Sequence, residues 1–110
     1  MVYAPALGLT VGYDPLKDFA PVGLAGHVPY SLFMHGGLAP NNMREFLAYA
    51  RERPGKLNLG SPGTGTPNHI GGVLLNKLAG IELVHVPYRG GSAMLTDLIA
   101  GQVHVVFVSL

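Results

Sequence analysis

Two glycine-rich loops hold the residues whose types and spacing could do chemistry. The first, Gly60-Ser61-Pro62-Gly63-Thr64-Gly65-Thr66-Pro67-Asn68-His69, lies between a short apolar run and a helical pattern. Its glycines let the backbone turn tightly and approach a ligand with no Cβ in between. Ser61, Thr64 and Thr66 offer hydroxyls, and His69 is placed to donate to a ligand or to a loop carbonyl. The helix that follows presents unpaired N–H groups and the positive end of its dipole. Such a helix start suits an anion, here a carboxylate. The same Ser, Thr and Asn would serve equally well as plain helix caps, and residue types alone leave both readings open. The second loop, Tyr88-Arg89-Gly90-Gly91-Ser92, again places glycines ahead of a helix, with Ser92 as a cap. Arg89 could pair with an anion. It reads first as a surface charge, the common state of a solitary arginine.

Other chemistries lack their residues. No Lys follows the glycines as in a P-loop and the G-x-G-x-x-G spacing is not met, so nucleotide binding is the weaker reading. His27, His35, His85 and His104 are scattered, with no pair at a metal-ligand spacing, and neither a metal nor a cofactor is expected. G-x-S-x-G appears nowhere, the six acids stand singly and there is no cysteine, so catalysis has no support in the sequence. The rival reading is a small α/β hydrolase or transferase that uses the glycine loop for an anionic group. A nucleophile–base pair would mark it. A third is a folded interaction module without a ligand.

The elements that must position these loops follow from punctuation by sixteen Gly and nine Pro. Residues 1–15 read as irregular or a short strand, and Phe19 to Gly26 as a strand that another backbone approaches closely. Pro29 to Met34 reads as a buried strand. Met43, Phe46, Leu47 and Ala50 mark one face of a helix capped by Asn41 or Asn42 and stopped by Pro54-Gly55. Lys56 to Gly60 is a strand. Asn68 to Ala79 is a helix with Ile70, Val73, Leu74, Lys77 and Leu78 well spaced and Gly80 at its end. Leu83 to Val86 is a strand, Ala93 to Ala100 a helix closed by Gly101, and Val103 to Val108 a β-branched strand. Alternation of this kind predicts an α/β fold with three layers, a mainly parallel sheet carrying helices on both faces.

The chain has 110 residues, enough for one domain. Apolar residues make up 48% and charged residues 12%, which excludes a solvated disordered tail. Formal net charge is +1, too little basic excess for a nucleic-acid groove. No stretch approaches about 18 apolar residues free of Gly, Pro or charge, so no transmembrane helix is expected. The first residues lack the basic start of an export signal. The last strand reads as an apolar edge, and edges of that kind invite self-association, through Val103 to Val108 or by exchange of residues 1–21.

Four stretches taken together resemble a known family. They are Tyr13-Asp-Pro-Leu-Lys-Asp-Phe-Ala-Pro-Val22, Pro54-Gly-Lys-Leu-Asn-Leu-Gly-Ser61 with Gly63, Gly65 and His69 behind it, His85-Val-Pro-Tyr-Arg-Gly90, and Leu95-Thr-Asp-Leu-Ile-Ala-Gly-Gln-Val103. In order and spacing they are similar to the Bug proteins, the TctC-type solute-binding receptors of tripartite tricarboxylate transporters. The resemblance implies a type II periplasmic-binding fold, a small carboxylate or related organic solute as ligand, membrane permease subunits as partners, no enzymatic activity and a periplasmic location. Carried over position by position, it implies ligand contacts from Ser61, Gly63, Thr64, Gly65, Thr66 and His69, and from Gly91, Ser92 and Ala93, through backbone N–H groups and hydroxyls. Family members are much longer and carry an export signal. The expectation is therefore a connecting segment at 1–21 and an incomplete ligand-binding domain at 22–110, cytoplasmic if expressed as it stands.

Overall fold

In the computed structural model, residues 3–6 and 8–110 are described. The first long helix starts where the sequence places it. Asn42 caps it by accepting from the Glu45 amide at 3.0 Å, while Glu45 reaches back to the Asn41 amide and the Asn42 side chain, both at 2.8 Å. In chain order the elements are α1 (Tyr3–Ala6), β1 (Tyr30–Met34), α2 (Met43–Arg51), β2 (Leu57–Ser61), α3 (Pro67–Ala79), β3 (Leu83–Pro87), α4 (Gly91–Ala100) and β4 (Val105–Ser109). Met1, Val2 and Leu7 lie outside the described residues. Within residues 8–29 no strand forms. Phe19 to Gly26 is exposed throughout and pairs with no strand, so its apolar residues do not make the strand expected there.

The four strands run in the order β1-β4-β2-β3. β2 is parallel to both β3 and β4, and β1 is antiparallel to β4. The mainly parallel sheet is thus as expected, with one antiparallel edge strand. Side chains alternate across it. Leu57, Leu59, Leu83 and Val105 face one side and pack with Phe46 and Ala50 of α2 and with Leu75 and Ala79 of α3. Val106 faces the other side and packs, with Val103, against Met94 and Leu98 of α4. Helices therefore cover both faces.

Two expectations fail here. β4 is an interior strand, held by β1 on one side and β2 on the other, so Val103 to Val108 is no free edge for self-association. Local sequence shows a strand but not its neighbours, which long-range pairing decides. The second concerns α3. Val73, Leu74 and Leu78 are exposed, Leu78 at 77%, although their spacing marked them as a buried face. Instead the helix turns Asn68, Gly72, Leu75 and Ala79 inward. Its buried Asn68 and half-buried Asn76 are hydrogen-bonded: Asn68 donates to the Phe107 carbonyl at 2.6 Å, and Asn76 exchanges two bonds of 3.0 Å with the Leu83 backbone. An apolar-period reading cannot see a face built from Asn, Gly and Ala.

Candidate functional site

β2 and β3 point their carboxyl ends at the same rim of the sheet, and both glycine loops stand there. They are joined directly, since the Tyr88 amide donates to the Ser61 carbonyl at 2.8 Å. The rim is where open α/β sheets present ligand sites.

The first loop is shaped mostly by its own side chains. Ser61 lies at the end of β2 with no exposed surface. Its hydroxyl donates to the Gly63 carbonyl at 3.0 Å and accepts from the Gly63 amide at 3.2 Å. Thr66 caps α3 and also donates to the Gly63 carbonyl at 2.7 Å. Gly65 sits at φ +82, the left-handed region that side chains other than glycine avoid, and its amide donates to Nδ1 of His69 at 3.2 Å. His69 was expected to donate to the loop or to a ligand. Within the loop it accepts instead, so a neutral His69 carries its proton on Nε2, which has no hydrogen-bond partner among the described residues. The amides of Gly63 and Gly65 are thus engaged internally. The Thr64 amide donates to none of the described residues, and Thr64 is exposed. Replacing Thr66 by alanine removes the cap and the Gly63 bond together. The expected cost is about 1 kcal/mol, read as a lowered midpoint in urea unfolding with the slope unchanged.

The second loop leads into α4. Gly90 is the N-cap and no side chain caps the helix. Ser92 therefore does not act as the expected cap. It lies one residue inside the helix, because the helix begins at Gly91, earlier than the sequence indicated. The amides of Gly91, Ser92 and Ala93 donate to no described residue, and Ser92 and Ala93 are exposed. Tyr88 anchors the loop by donating to Asp97 at 2.7 Å, and burial together with this carboxylate pushes its hydroxyl up to about 12. Arg89 is exposed and makes no ion pair among the described residues, which matches its reading as a surface charge. Neither loop contains an acidic residue. Two helix starts, an unengaged imidazole N–H and an arginine give the rim a positive potential.

Sequence reasoning missed His85. It sits on β3 with Nε2 only 2.6 Å from the Ser61 hydroxyl, and its ring stacks on His69 with centroids 3.9 Å apart and planes 17° from parallel. Burial, then the neighbouring His69, lowers its pKa from 6.5. The distance is that of a serine–histidine dyad, but the serine is wholly buried and its hydroxyl also hydrogen-bonds to the Gly63 backbone. A cavity of about 310 Å³ lies elsewhere, between β1 and α2, lined by Leu32, Met34, Met43 and Phe46 with Asn41 and Asn42. No group of three His, Cys, Asp or Glu placed to hold a metal occurs among the described residues.

A three-layer α/β unit that gathers two glycine loops and two helix starts at one rim is suited to holding a small anionic ligand there. The chain belongs to the tripartite tricarboxylate transporter family receptors, whose TctC family model matches residues 1–110. It is 41% identical over 100 residues to the UPF0065 protein in the tcbD-tcbE intergenic region of Pseudomonas sp. (strain P51), a match that covers 91% of this chain and 30% of that one. Among solved structures it is similar to R. palustris Rpa4515 with adipate, at 37% identity and TM-score 0.79, over 92% of this chain and 34% of that one. It is also similar to MatC (Rpa3494) from Rhodopseudomonas palustris with bound malate, at 31% identity and TM-score 0.82, over 97% of this chain and 36% of that one. The chain spans about a third of the length of these relatives.

Proposed function

We propose that residues 22–110 form the carboxylate-gripping unit of an extracytoplasmic solute receptor, with residues 1–21 as a connecting segment, and that the whole protein delivers its solute to a membrane permease from the periplasm. The observation that carries this is the pairing of open donors at one rim. The amides of Thr64 and of Gly91, Ser92 and Ala93 donate to no described residue, and no acid lies in either loop. The bound adipate and malate of the two similar structures are dicarboxylates, the ligand class that such donors suit. The unit acts as a binder rather than an enzyme, since its polar groups are aimed to hold an anion and its serine is wholly buried.

On these 110 residues the rim faces solvent. An anion held by a few exposed N–H groups gains little, and enclosure from a second side is what raises affinity in a cleft. The expected result of an amide-resolved NMR titration with adipate or malate is a Kd of about a millimolar, near −4 kcal/mol. The shifted signals should be those of Thr64, Gly91, Ser92 and Ala93. Saturable shifts confined to other surfaces would refute the assignment of the site, and micromolar affinity would refute the argument from enclosure.

A further inference from the structure

The glycine loop is fastened at both ends by one side chain that belongs to neither end. Ser61 opens the loop on β2 and His69 closes it on α3, while His85 projects from β3 and touches both. The Ser61 hydroxyl hydrogen-bonds with the carbonyl and the amide of Gly63 and, at 2.6 Å, with Nε2 of His85, the tautomer of His85 setting which partner donates. On its other flank, His85 lays its ring against His69, whose Nδ1 holds the Gly65 amide. One imidazole thus governs two amides. It fixes Gly63 through Ser61, and it fixes Gly65 through His69.

We infer that His85 is a positioning residue of the carboxylate site, setting the shape of the Ser61–His69 loop through a hydrogen bond to Ser61 on one side and a stack on His69 on the other. The inference rests on the carboxylate reading for its effect on ligand and on geometry alone for its effect on the loop. Thr64 lies between the two fastened glycines, so its exposed amide is aimed by both attachments. Loss of either leaves the donor present but no longer held in place, which lowers affinity without removing a ligand contact.

Two variants separate the attachments. His85→Gln keeps a side-chain N–H for Ser61 and removes the stack. His85→Phe keeps a ring to stack and removes the hydrogen bond. Amide hydrogen exchange of the unliganded full chain, read by NMR, should show Gly63 exchanging on the order of tenfold faster in His85→Phe and close to wild type in His85→Gln. Gly65 should show the reverse. Titration with adipate should weaken severalfold in both variants. The inference is overturned if both glycine amides keep wild-type exchange in both variants, or if each variant frees both amides together with those of β2 and β3. Should His85→Phe fail to fold, His85→Leu removes the same bond while leaving in place the Ser61 hydroxyl that receives the Gly63 amide, and an unchanged Gly63 amide there also overturns the inference. If the wild type binds no adipate at tens of millimolar, the carboxylate reading fails, and the exchange pattern alone decides the role of His85.

Discussion

Replacing Gly72 by alanine is expected to destabilise the fold, although alanine is the better helix former. Gly72 lies inside α3, where the exchange would favour the helix by about 1 kcal/mol on propensity alone. Its Cβ, however, would overlap the Cδ2 atom of Leu59 and lie 3.2 Å from its Cγ. Leu59 is 2% exposed and sits in the cluster with Phe46, Ala50, Leu57, Leu83 and Val105, so a Cδ2 that yields to the new methyl must move among close-packed neighbours. Overpacking of this kind costs about 1–3 kcal/mol, sometimes more, which exceeds the propensity gain. A Tm lower by several degrees, on the order of 5 °C, should follow. Gly71→Ala is the internal control: its Cβ would meet the Phe107 ring at 3.4 Å, an ordinary contact, so the propensity gain should survive and Tm should hold or rise. Leu59→Ala alone should cost about 2–5 kcal/mol by opening a cavity. In the double variant the Gly72→Ala methyl fills part of that space, and the two effects should sum to less than their separate costs by at least about 0.5 kcal/mol. Strict additivity, or a Gly72→Ala variant as stable as Gly71→Ala, would refute this account of how α3 seats on β2. The seat matters to the site because Thr66 and His69 ride on the first turn of that helix.

This contact also marks the limit of what could be read from residues alone. Strand and helix positions after Pro29 emerged within one or two residues, since Gly80 and Gly101 end helices and β-branched or leucine-rich runs mark β2, β3 and β4. The glycine loops and the family were legible for the same reason, being contiguous in sequence. What stayed hidden depends on partners far along the chain. The central place of β4 is settled by pairing with β1 and β2. The inward face of α3 is settled by Leu59 and by hydrogen bonds from Asn68 and Asn76. His85 looked like one scattered histidine among several until β3 was laid beside β2 in register, with Leu59 opposite His85 and Ser61 opposite Pro87. That register puts His85 and Ser61 on one face as diagonal neighbours. Phe19 to Gly26 shows the opposite failure, an apolar stretch with no strand to pair with.

Acid should destabilise this protein well before its carboxylates titrate. At the end of the sheet away from the glycine loops, His104 accepts the Asn58 amide on Nδ1 at 2.8 Å, so protonation there sets a donor against a donor. Its neighbour His35 donates Nδ1–H to the Leu98 carbonyl at 2.9 Å, and the His35 amide donates to the His104 carbonyl. Burial, then the charge of His35, lowers the pKa of His104 from 6.5, just as burial and His69 lower that of His85. Both groups therefore bind protons more weakly when folded than when unfolded. The unfolded chain takes up protons first as pH falls through 6.5, so the stabilising contribution is complete above that value. It is lost progressively as pH falls toward the lowered folded values. Tm should accordingly drop between about pH 7.5 and about pH 5, the window in which histidine titrates. In a His104→Phe/His85→Phe double variant the drop should shrink, even though the variant starts less stable at neutral pH, because the two groups that resist protonation are gone. A wild-type Tm that is flat or rises on acidification, or an equal drop in the double variant, would place the acid sensitivity elsewhere and leave the two half-buried imidazoles without a role in it.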